Sequence, residues 1–226
     1  MTLSIIIPVL NESSLIEKCL WQLAEFRAQG VEVIVVDGGS NDVTERAARP
    51  LADRVLTATR GRALQMNAGA HAASSDTLLF LHVDTELPPG ADAMIAAALA
   101  PPKRVWGRFD VRIVPATPLL AIVARLMNLR SRLSGIATGD QAIFVRRSAF
   151  VAIGGYPDIP LMEDIELSKR LKRMSKPICL RTRVSTSARR WLKYGVVRTI
   201  FLMWRLRLAY SLGADPLKLA RRYGDG

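Results

Sequence analysis

The sequence predicts an α/β fold in which a mainly parallel, mixed sheet is flanked by helices. In the first hundred residues, short runs rich in Ile and Val alternate with segments whose apolar residues recur at helical spacing. The runs at 3–9, 31–37 and 77–81 are each followed by polar or turn-forming residues. This alternation is typical of right-handed βαβ units, whose doubly buried strands appear as continuous apolar runs.

The first half contains four predicted strands and the helices between them. Pro8 lies at the end of the first strand, and Ser14 and Glu17 then have the spacing of a capping box. Apolar residues recur on one face of the following helix until Gly30 ends it. In chain order, the predicted elements are a strand at 3–9, a helix at 14–30, a strand at 31–37, a helix at 42–49, a strand at 54–58, a helix at 62–73, a strand at 77–81 and a helix from about Pro88.

The second half is less regular but contains alternating and amphipathic segments of the same kinds. Glu163 and Asp164 open one helix, where acidic residues favour the helix dipole. The predicted elements are a strand at 105–113, an arginine-bearing helix at 118–133, a strand at 142–145, a helix at 163–174 and a helical segment at 191–212. We expect one domain over 1–190, divided into halves at 1–100 and 101–190, and a C-terminal helical segment over 191–226.

Polar side chains follow three of the predicted strands. Asn11 and Glu12 come after the first strand, Asp37 ends the second, and His82 and Asp84 follow the fourth. Such residues also form ordinary turns. However, the carboxyl ends of parallel strands share one edge, where ligands of α/β sheets collect. The sequence therefore predicts a binding site at this edge.

The two halves differ strongly in charge. The whole chain has 226 residues and a formal net charge of +12. The first hundred residues hold 7 Lys/Arg and 12 Asp/Glu, and the remaining 126 hold 25 and 8. A strongly basic half indicates an anionic partner, for which nucleic acid, a phosphorylated small molecule and anionic lipid are the candidates.

Several classes are excluded or disfavoured. No Gly-x-Gly-x-x-Gly follows the first strand and no P-loop occurs, which argues against a dehydrogenase or an NTPase. Cys19 and Cys179 are expected to be small buried hydrophobes in a reducing compartment. The start of the chain lacks the pattern of a secretory signal, and no apolar stretch approaches about 18 residues, so we expect no membrane span.

The ordered motifs resemble family 2 glycosyltransferases, enzymes of the nucleotide-sugar-binding GT-A fold. The matching segments span roughly 3–170, and their order and spacing are more specific than any one of them. They are Pro8-Val9-Leu10-Asn11-Glu12, Val35-Val36-Asp37-Gly38-Gly39-Ser40, Arg62 with Asn67-Ala68-Gly69, His82-Val83-Asp84 and Glu163-Asp164. Longer strings, such as Pro160-Leu161-Met162-Glu163-Asp164, are similar to a bacterial subgroup often named radical-SAM/selenodomain-associated transferases.

The resemblance implies a nucleoside-diphosphate-sugar donor, of UDP or GDP type, and a divalent Mg²⁺ or Mn²⁺. Asp84 matches the second acid of the family's Asp-x-Asp motif, which binds a metal that bridges the diphosphate. His82 replaces the first acid, so it is either a second ligand or a structural residue. The implied nucleotide-sugar-binding residues are Pro8, Asn11, Glu12, Asp37, Gly38, Arg62, Asn67 and Asp84.

The resemblance also assigns the acceptor side. Asp164 matches the general base of the family's Glu-Asp motif, with Glu163 positioning it, and one base without a covalent intermediate implies inversion of the anomeric centre. The acceptor-side residues are Asp140, Gln141, Arg190 and Trp191. Asp140 is alternatively a turn residue, while Arg190 would hold a phosphate and Trp191 would stack on a sugar. Ser187 stands where processive relatives have Gln, which puts processive polymerisation in doubt.

Competing functions remain. A nucleotidyltransferase of related fold would open with a Gly-rich, Arg-containing loop, which is missing. A catalytically inactive GT-A-fold module with a basic membrane- or phosphate-binding surface is the non-enzymatic alternative. Low aromatic content and the lack of known motifs disfavour nucleic acid. The preferred hypothesis is a cytoplasmic transferase, either free or at the inner face of the membrane, whose unknown acceptor is phosphorylated or lipid-linked.

The C-terminal segment has two predicted roles. It either packs on the core or lies in the plane of a membrane. In the second case Trp191, Trp204 and Tyr210 would sit at headgroup level. The accompanying cations would be Arg198, Arg205 and Arg207.

Overall fold

The computed structural model describes residues 2–224, which form one mixed sheet with helices on both faces. The strand order is β3-β2-β1-β4-β7-β6-β8-β5. The strands are β1 (Leu3–Val9), β2 (Glu32–Asp37), β3 (Arg54–Thr57), β4 (Thr77–Phe80), β5 (Thr85–Glu86), β6 (Trp106–Val114), β7 (Phe144–Arg146) and β8 (Ile178–Ser187).

The parallel half of the sheet is centred on β1. This strand pairs in parallel with β2 on one side and β4 on the other, and β2 pairs in parallel with β3. Ile5, Ile6 and Ile7 are all fully buried because helices cover both faces. The predicted order of alternating strands and helices is therefore confirmed, and the carboxyl ends of β1 and β2 lie side by side.

The second half completes the sheet mainly by antiparallel pairing. β7 pairs antiparallel with both β4 and β6, β5 pairs antiparallel with β8, and β6 and β8 run parallel. The sheet is thus mixed, as predicted. β5 has only two residues, too few to give a periodic signal in the sequence.

The helices agree with the predicted positions to within a few residues, apart from three differences. They are α1 (Ser13–Gln22), α2 (Ala24–Ala28), α3 (Thr44–Ala48), α4 (Arg62–Ala72), α5 (Ala91–Leu99), α6 (Pro118–Ser134), α7 (Arg147–Ala152), α8 (Glu163–Met174), α9 (Arg189–Tyr194), α10 (Val196–Ser211) and α11 (Pro216–Gly224). The single helix predicted over 14–30 is interrupted at Leu23, and α7 and α11 were not predicted.

The predicted capping box at Ser14 and Glu17 is wrong. The helix begins at Ser13, and its N-cap Glu12 makes no side-chain cap. The first backbone donors are satisfied from outside the helix, because Glu12 N–H donates to Thr44 Oγ1 (2.8 Å) and Ser13 N–H donates to Asp42 Oδ2 (3.3 Å). Side chains from the segment between β2 and α3, and from the first residue of α3, have thus replaced a cap within the helix itself.

A buried ionic cluster joins β6 to α6. Arg108 is fully buried in β6 and pairs with Asp110, which also accepts from Arg132 Nη2 of α6 (2.6 Å). Asn128 on α6 bonds the backbone N–H and C=O of Val111, both at 2.9 Å. These contacts fix the long helix against the sheet.

The C-terminal helices pack on the start of α8. Leu206 of α10 and Leu219 of α11 are buried with Leu161, Met162 and Ile165 in one apolar cluster. The prediction that this segment packs on the core is confirmed. Within residues 2–224, no helix is long and apolar enough to cross a membrane.

Candidate active site

Two loops interlock at the carboxyl ends of β1 and β2. Asn11 N–H donates to Ser40 Oγ (2.8 Å), and Asn11 Oδ1 accepts from Asn41 N–H (3.0 Å). Asn11 has a φ of 53°, in the left-handed region that Asn tolerates better than most residues. The predicted nucleotide-side residue Asn11 therefore also shapes the edge at which it lies.

Asp37 is buried at the end of β2, and its carboxylate organises the next turn. Asp37 Oδ2 accepts from the N–H groups of Gly39 (2.9 Å) and Ser40 (2.7 Å). Its other oxygen accepts from the Ser40 hydroxyl. Asp37 thus holds the loop that Asn11 contacts.

Gln65 of α4 supports this loop from below. Gln65 Nε2 donates to the carbonyls of Val9 (2.7 Å) and Val36 (2.8 Å), the residues beside the ends of the two strands. A Cβ on Gly38 would lie 3.0 Å from Gln65 Oε1. This close approach favours glycine at Gly38, a predicted site residue. Pro8, another predicted site residue, lies half-buried within β1.

Arg189 connects the start of α9 to two predicted donor-side carboxylates. Its guanidinium makes a bidentate pair with Glu12, at 3.0 and 3.1 Å. Arg189 Nη2 also lies 3.9 Å from Asp84 Oδ2. Glu12 and Asp84, which are 72 positions apart, therefore share one cation at the edge of the sheet.

His82 faces the 3₁₀ turn Gly139–Gln141. His82 Nδ1 lies 3.5 Å from Asp140 Oδ1, and a Cβ on Gly139 would lie 2.3 Å from His82 Nε2. Burial raises the pKa of Asp140, but hydrogen bonding to His82 and the charge of Arg62 outweigh it, and the net pKa is below its ordinary value. Nδ1 thus faces Asp140, whereas Nε2 is buried beside Gly139 without a hydrogen-bond partner in the described part of the chain, and both predicted roles of His82 stay predictions.

Glu163 and Asp164 begin α8 and point to different surroundings. Asp164 Oδ2 accepts from Gly139 N–H (2.9 Å), and Asp164 is only partly buried. Glu163 is 3% exposed and accepts from Arg62 Nη1 (3.2 Å). Burial raises the pKa of Glu163, Arg62 opposes the shift, and the charge of Asp164 adds to it. Asp164 is therefore the carboxylate that an incoming molecule can reach.

The donor set around Asp84 suits a hard divalent cation that is held mainly by its ligand. Within residues 2–224, no three His, Cys, Asp or Glu side chains form a metal-binding cluster. Mg²⁺ in phosphate complexes commonly takes only one or two carboxylates from the protein. Burial raises the pKa of Asp84, and the charge of Glu12 adds to this effect. A cation beside Asp84 would offset both effects and stabilise the ionised carboxylate.

Other predicted site residues are engaged in structural contacts. Asn67 Oδ1 accepts from Tyr156 N–H (2.9 Å), and Asn67 Nδ2 donates to the Tyr156 carbonyl (2.8 Å). Gln141 is fully buried and forms a capping box with Thr138. Their side chains therefore hold loops around the site.

Arg190 and Trp191 are likewise engaged in packing, Arg190 against α11 and Trp191 against the apolar cluster that contains the buried face of α6. The guanidinium of Arg190 stacks on Tyr223, 3.6 Å from the ring centroid, and donates to the Tyr223 carbonyl (2.9 Å). Trp191 packs beside the buried side chains of Leu120 and Val123. These contacts differ from the predicted phosphate and sugar contacts.

Sequence reasoning missed three cations near these carboxylates. Arg189 precedes the predicted acceptor-side residue Arg190 but was given no role from the sequence, and only the folded chain brings it to Glu12. Arg130 and Arg207 lie on different helices, and their charges act on Asp164 and Asp140 respectively. No sequence spacing links α6, α8 and α10, so no local signal identified this group.

Known proteins match both the sequence and the fold. Over 94 aligned positions, which cover 38% of this chain, the sequence is 34% identical to 4,4'-diaponeurosporenoate glycosyltransferase of Staphylococcus haemolyticus. The match spans about a quarter (25%) of that relative. TarS 1-349 of S. aureus has a TM-score of 0.66 at 17% identity, over 98% of this chain and 68% of TarS.

Two further neighbours have the same architecture. The mannosyltransferase PcManGT of Pyrobaculum calidifontis, in complex with GDP-Man and Mn²⁺, has a TM-score of 0.66 at 19% identity, over 98% of this chain and 68% of that one. Glucosyl-3-phosphoglycerate synthase of Mycobacterium tuberculosis, in complex with Mn²⁺, UDP and glucosyl-3-phosphoglycerate, has a TM-score of 0.61 at 21% identity. The match covers 82% of this chain and 70% of that one. The fold is thus of the GT-A type. Because the profile of glycosyl transferase family 2 also matches residues 4–149, the chain belongs to that family.

Proposed function

We propose that this family 2 glycosyltransferase moves a hexose from a nucleoside diphosphate to an acceptor hydroxyl with inversion. The supporting observation is a chain of contacts between the two halves. It runs from the His82–Asp84 loop through the Gly139–Asp140 turn to Asp164. One carboxylate suited to the donor and one suited to the acceptor therefore face a common edge.

The proposed donor lies over the interlocked loops after β1 and β2. PcManGT is described with GDP-Man, and TarS is described with UDP-GlcNAc. Both complexes support a nucleotide sugar of UDP or GDP type as the donor here. In our proposal Asp37 and Asn11 line the nucleoside site. Arg62 and Arg189 face the phosphates, to which guanidinium groups bind well.

A divalent Mg²⁺ or Mn²⁺ would be held by Asp84 together with donor phosphate oxygens. When bound, such an ion supplies positive charge to the departing diphosphate. Arg189 places a positive charge from the protein itself beside Asp84. It also pairs with Glu12, whose negative charge would otherwise repel the diphosphate. His82 orients the Gly139–Asp140 turn in this proposal.

Asp164 is the proposed general base. It is more accessible than the neighbouring Glu163, and the Gly139 N–H fixes its Oδ2. It would take the proton of the acceptor hydroxyl while that oxygen attacks the anomeric carbon and the bond to the diphosphate breaks. This single displacement inverts the anomeric centre. Glu163, held by Arg62, keeps the start of α8 in position.

The acceptor is proposed to carry a negative charge, as a phosphorylated or lipid-linked molecule does. Arg130 has two buried nitrogens, Nε and Nη2, without a hydrogen-bond partner in the described part of the chain. Burial, together with the positive charge of Arg207, lowers the pKa of Arg130 to about 10. An anion between Arg130 and Arg207 would stabilise both, close to Asp164.

Calorimetric titration with UDP, GDP, ADP and dTDP, each with Mn²⁺, Mg²⁺ or EDTA, tests the donor site. We expect one nucleotide to bind, and to bind more tightly with the metal. Failure of all four under every condition would contradict the proposal, and the inactive binding module with a basic membrane- or phosphate-binding surface would then take its place.

Asp164→Asn tests the base. The variant should lose most of its transfer or donor hydrolysis, by about 10²-fold or more, while it retains nucleotide affinity. Asp158→Asn, in the exposed loop before α8, is the matched control and should have unchanged rates. Equal rates for the wild type and Asp164→Asn would remove Asp164 from this role.

A cytoplasmic location and the attachment of the protein to a membrane stay predictions. The described helices lack a membrane span, which leaves only contact with the membrane surface for these residues.

A further inference from the structure

Helix α6 exposes a stripe of large apolar side chains along its whole length. The exposed fraction of these side chains runs from 40% at Leu119 to 79% at Leu133. The spacing of three and four residues places them on one face of the helix. The members of the stripe are Leu119, Ile122, Leu126, Leu129 and Leu133.

Helix α10 exposes a second stripe of the same kind. Its members are 56–79% exposed, and Trp204 is 62% exposed. They again recur every three or four residues. The members are Val197, Phe201, Trp204, Leu208 and, immediately after the helix, Leu212.

Neither stripe belongs to the core. α6 already buries its opposite face through Leu120, Val123 and Ala124, and α10 buries Leu206. Val196 and Ile200 of α10 pack on the cluster that contains the buried face of α6, so the two helices are neighbours. Exposed apolar surface on this scale marks an interaction site in a soluble domain.

The charges beside the stripes identify the partner. α6 and α10 contain no Asp or Glu. Arg125, Arg198 and Arg205 are exposed on these two helices. A symmetric contact with a second copy would bring the same cationic face together twice, which costs free energy. An anionic surface with an apolar interior would satisfy both the arginines and the leucines.

We propose that the outer faces of α6 and α10, which we call the lipid face, bind the surface of an anionic bilayer with both helices in its plane. The apolar stripes enter the boundary between headgroups and acyl chains, and the arginines meet the lipid phosphates. Trp204 lies at the level where amphipathic aromatic rings are favoured. This inference does not depend on catalysis.

Vesicle flotation of the full chain tests the lipid face. Wild-type protein should float with phosphatidylcholine vesicles that contain phosphatidylglycerol, and float less at high salt or with pure phosphatidylcholine. Leu126→Ser with Trp204→Ser should lower the partition coefficient by at least about tenfold. Arg125→Gln with Arg205→Gln should lower it about 30-fold.

Matched controls come from exposed residues elsewhere. Trp21 on α1 is 65% exposed and Val151 on α7 is 67% exposed, so Trp21→Ser with Val151→Ser removes similar apolar surface away from the lipid face. Arg46→Gln with Arg173→Gln removes two exposed cations. Both control variants should float like the wild type, and thermal unfolding should be cooperative in all variants.

Three outcomes would overturn the proposal. The first is wild-type protein that never floats with anionic vesicles. The second is an equal loss of binding in the controls and in the lipid-face variants. The third is a stable dimer by light scattering that the lipid-face substitutions disperse while no vesicle binding occurs, which would make a second copy the partner.

Discussion

At the scale of single residues, the site is held by side chains whose charges compensate one another. Arg189 neutralises Glu12 and approaches Asp84, while Arg62 pairs with Glu163. A carboxylate that loses its cation beside a bound diphosphate would repel it. The positions of the arginines therefore bear directly on the proposed binding of the donor.

Arg189→Ala is expected to weaken nucleoside-diphosphate binding. The loss should be about 10- to 100-fold, because charge-assisted hydrogen bonds contribute about 1.5–3 kcal/mol and the substitution leaves Glu12 unpaired. Calorimetric titration with the nucleotide that binds the wild type measures this change. Arg46→Ala, an exposed substitution on α3, is the control, and equal dissociation constants for wild type and Arg189→Ala would contradict the prediction.

Glu163 should make the stability of the protein depend on pH. Since burial raises the pKa of Glu163 in the folded state, the native chain retains this proton at pH values where the unfolded chain has lost it. Stability from this group is complete below the unfolded pKa and falls as pH rises through the folded pKa. Glu163→Gln, which stays neutral, should remove this fall.

Urea unfolding of wild type and Glu163→Gln from acid to neutral pH measures the effect. The wild type should lose stability relative to the variant as pH rises. Glu17→Gln, at an exposed position on α1, controls for the removal of a carboxylate. Parallel stability curves for wild type and Glu163→Gln would show that the buried carboxyl does not titrate as expected.

At the scale of elements, the register of α6 on β6 depends on buried polar contacts as much as on apolar packing. Arg108 has no exposed surface, and Asp110 pairs with it and with Arg132. A buried pair adds little net stability when intact, but removing one partner leaves an unpaired buried charge. Asp110 therefore fixes how α6, the helix that contains Arg130, packs on β6.

Asp110→Ala is expected to destabilise the fold by about 3–5 kcal/mol because Arg108 would lose its counter-ion. Glu86→Ala, which breaks the exposed Lys18–Glu86 pair (2.9 Å), should cost less than about 1 kcal/mol. Chemical unfolding of both variants measures the contrast. Similar losses for the two would indicate that the buried cluster is not a key contact.

At the scale of the whole molecule, the C-terminal helices are part of the packed structure. Leu206 and Leu219 share a buried cluster with Leu161 and Met162, immediately before Glu163. The predicted boundary between a domain at 1–190 and a segment at 191–226 stays a prediction. Across that boundary, α10 and α11 pack on the start of α8. Their position also brings the charge of Arg207 close enough to act on Asp140.

Two leucines of α10 provide a matched test of this packing. Leu206 is 2% exposed and Leu208 is 61% exposed. Leu206→Ala should destabilise the protein by about 2–5 kcal/mol through loss of burial and a residual cavity. Leu208→Ala should change stability by no more than about 0.5 kcal/mol in the absence of vesicles. Thermal and urea unfolding measure both, and equal effects would mean that α10 is not packed as described.

The sequence by itself determined the alternation of strands and helices in the first half and the edge at which Asn11, Asp37 and Asp84 lie. These features follow from local periodicity and from the rule that parallel strands end together. The GT-A architecture was implied by the resemblance of the ordered motifs to family 2 glycosyltransferases. Ser14 was misassigned because its capping role passed to another loop. Neighbours in space, unlike periodicity, leave no trace in one sequence.

Only the tertiary structure decided which charges meet and which apolar faces stay exposed. The pairing of Arg189 with Glu12 spans 177 positions, and Asn67 bonds the Tyr156 backbone across 89. The apolar stripes of α6 and α10 look like core faces in the sequence, and burial alone distinguishes them. Contacts between distant segments depend on how the helices dock on the sheet, which local spacing does not encode.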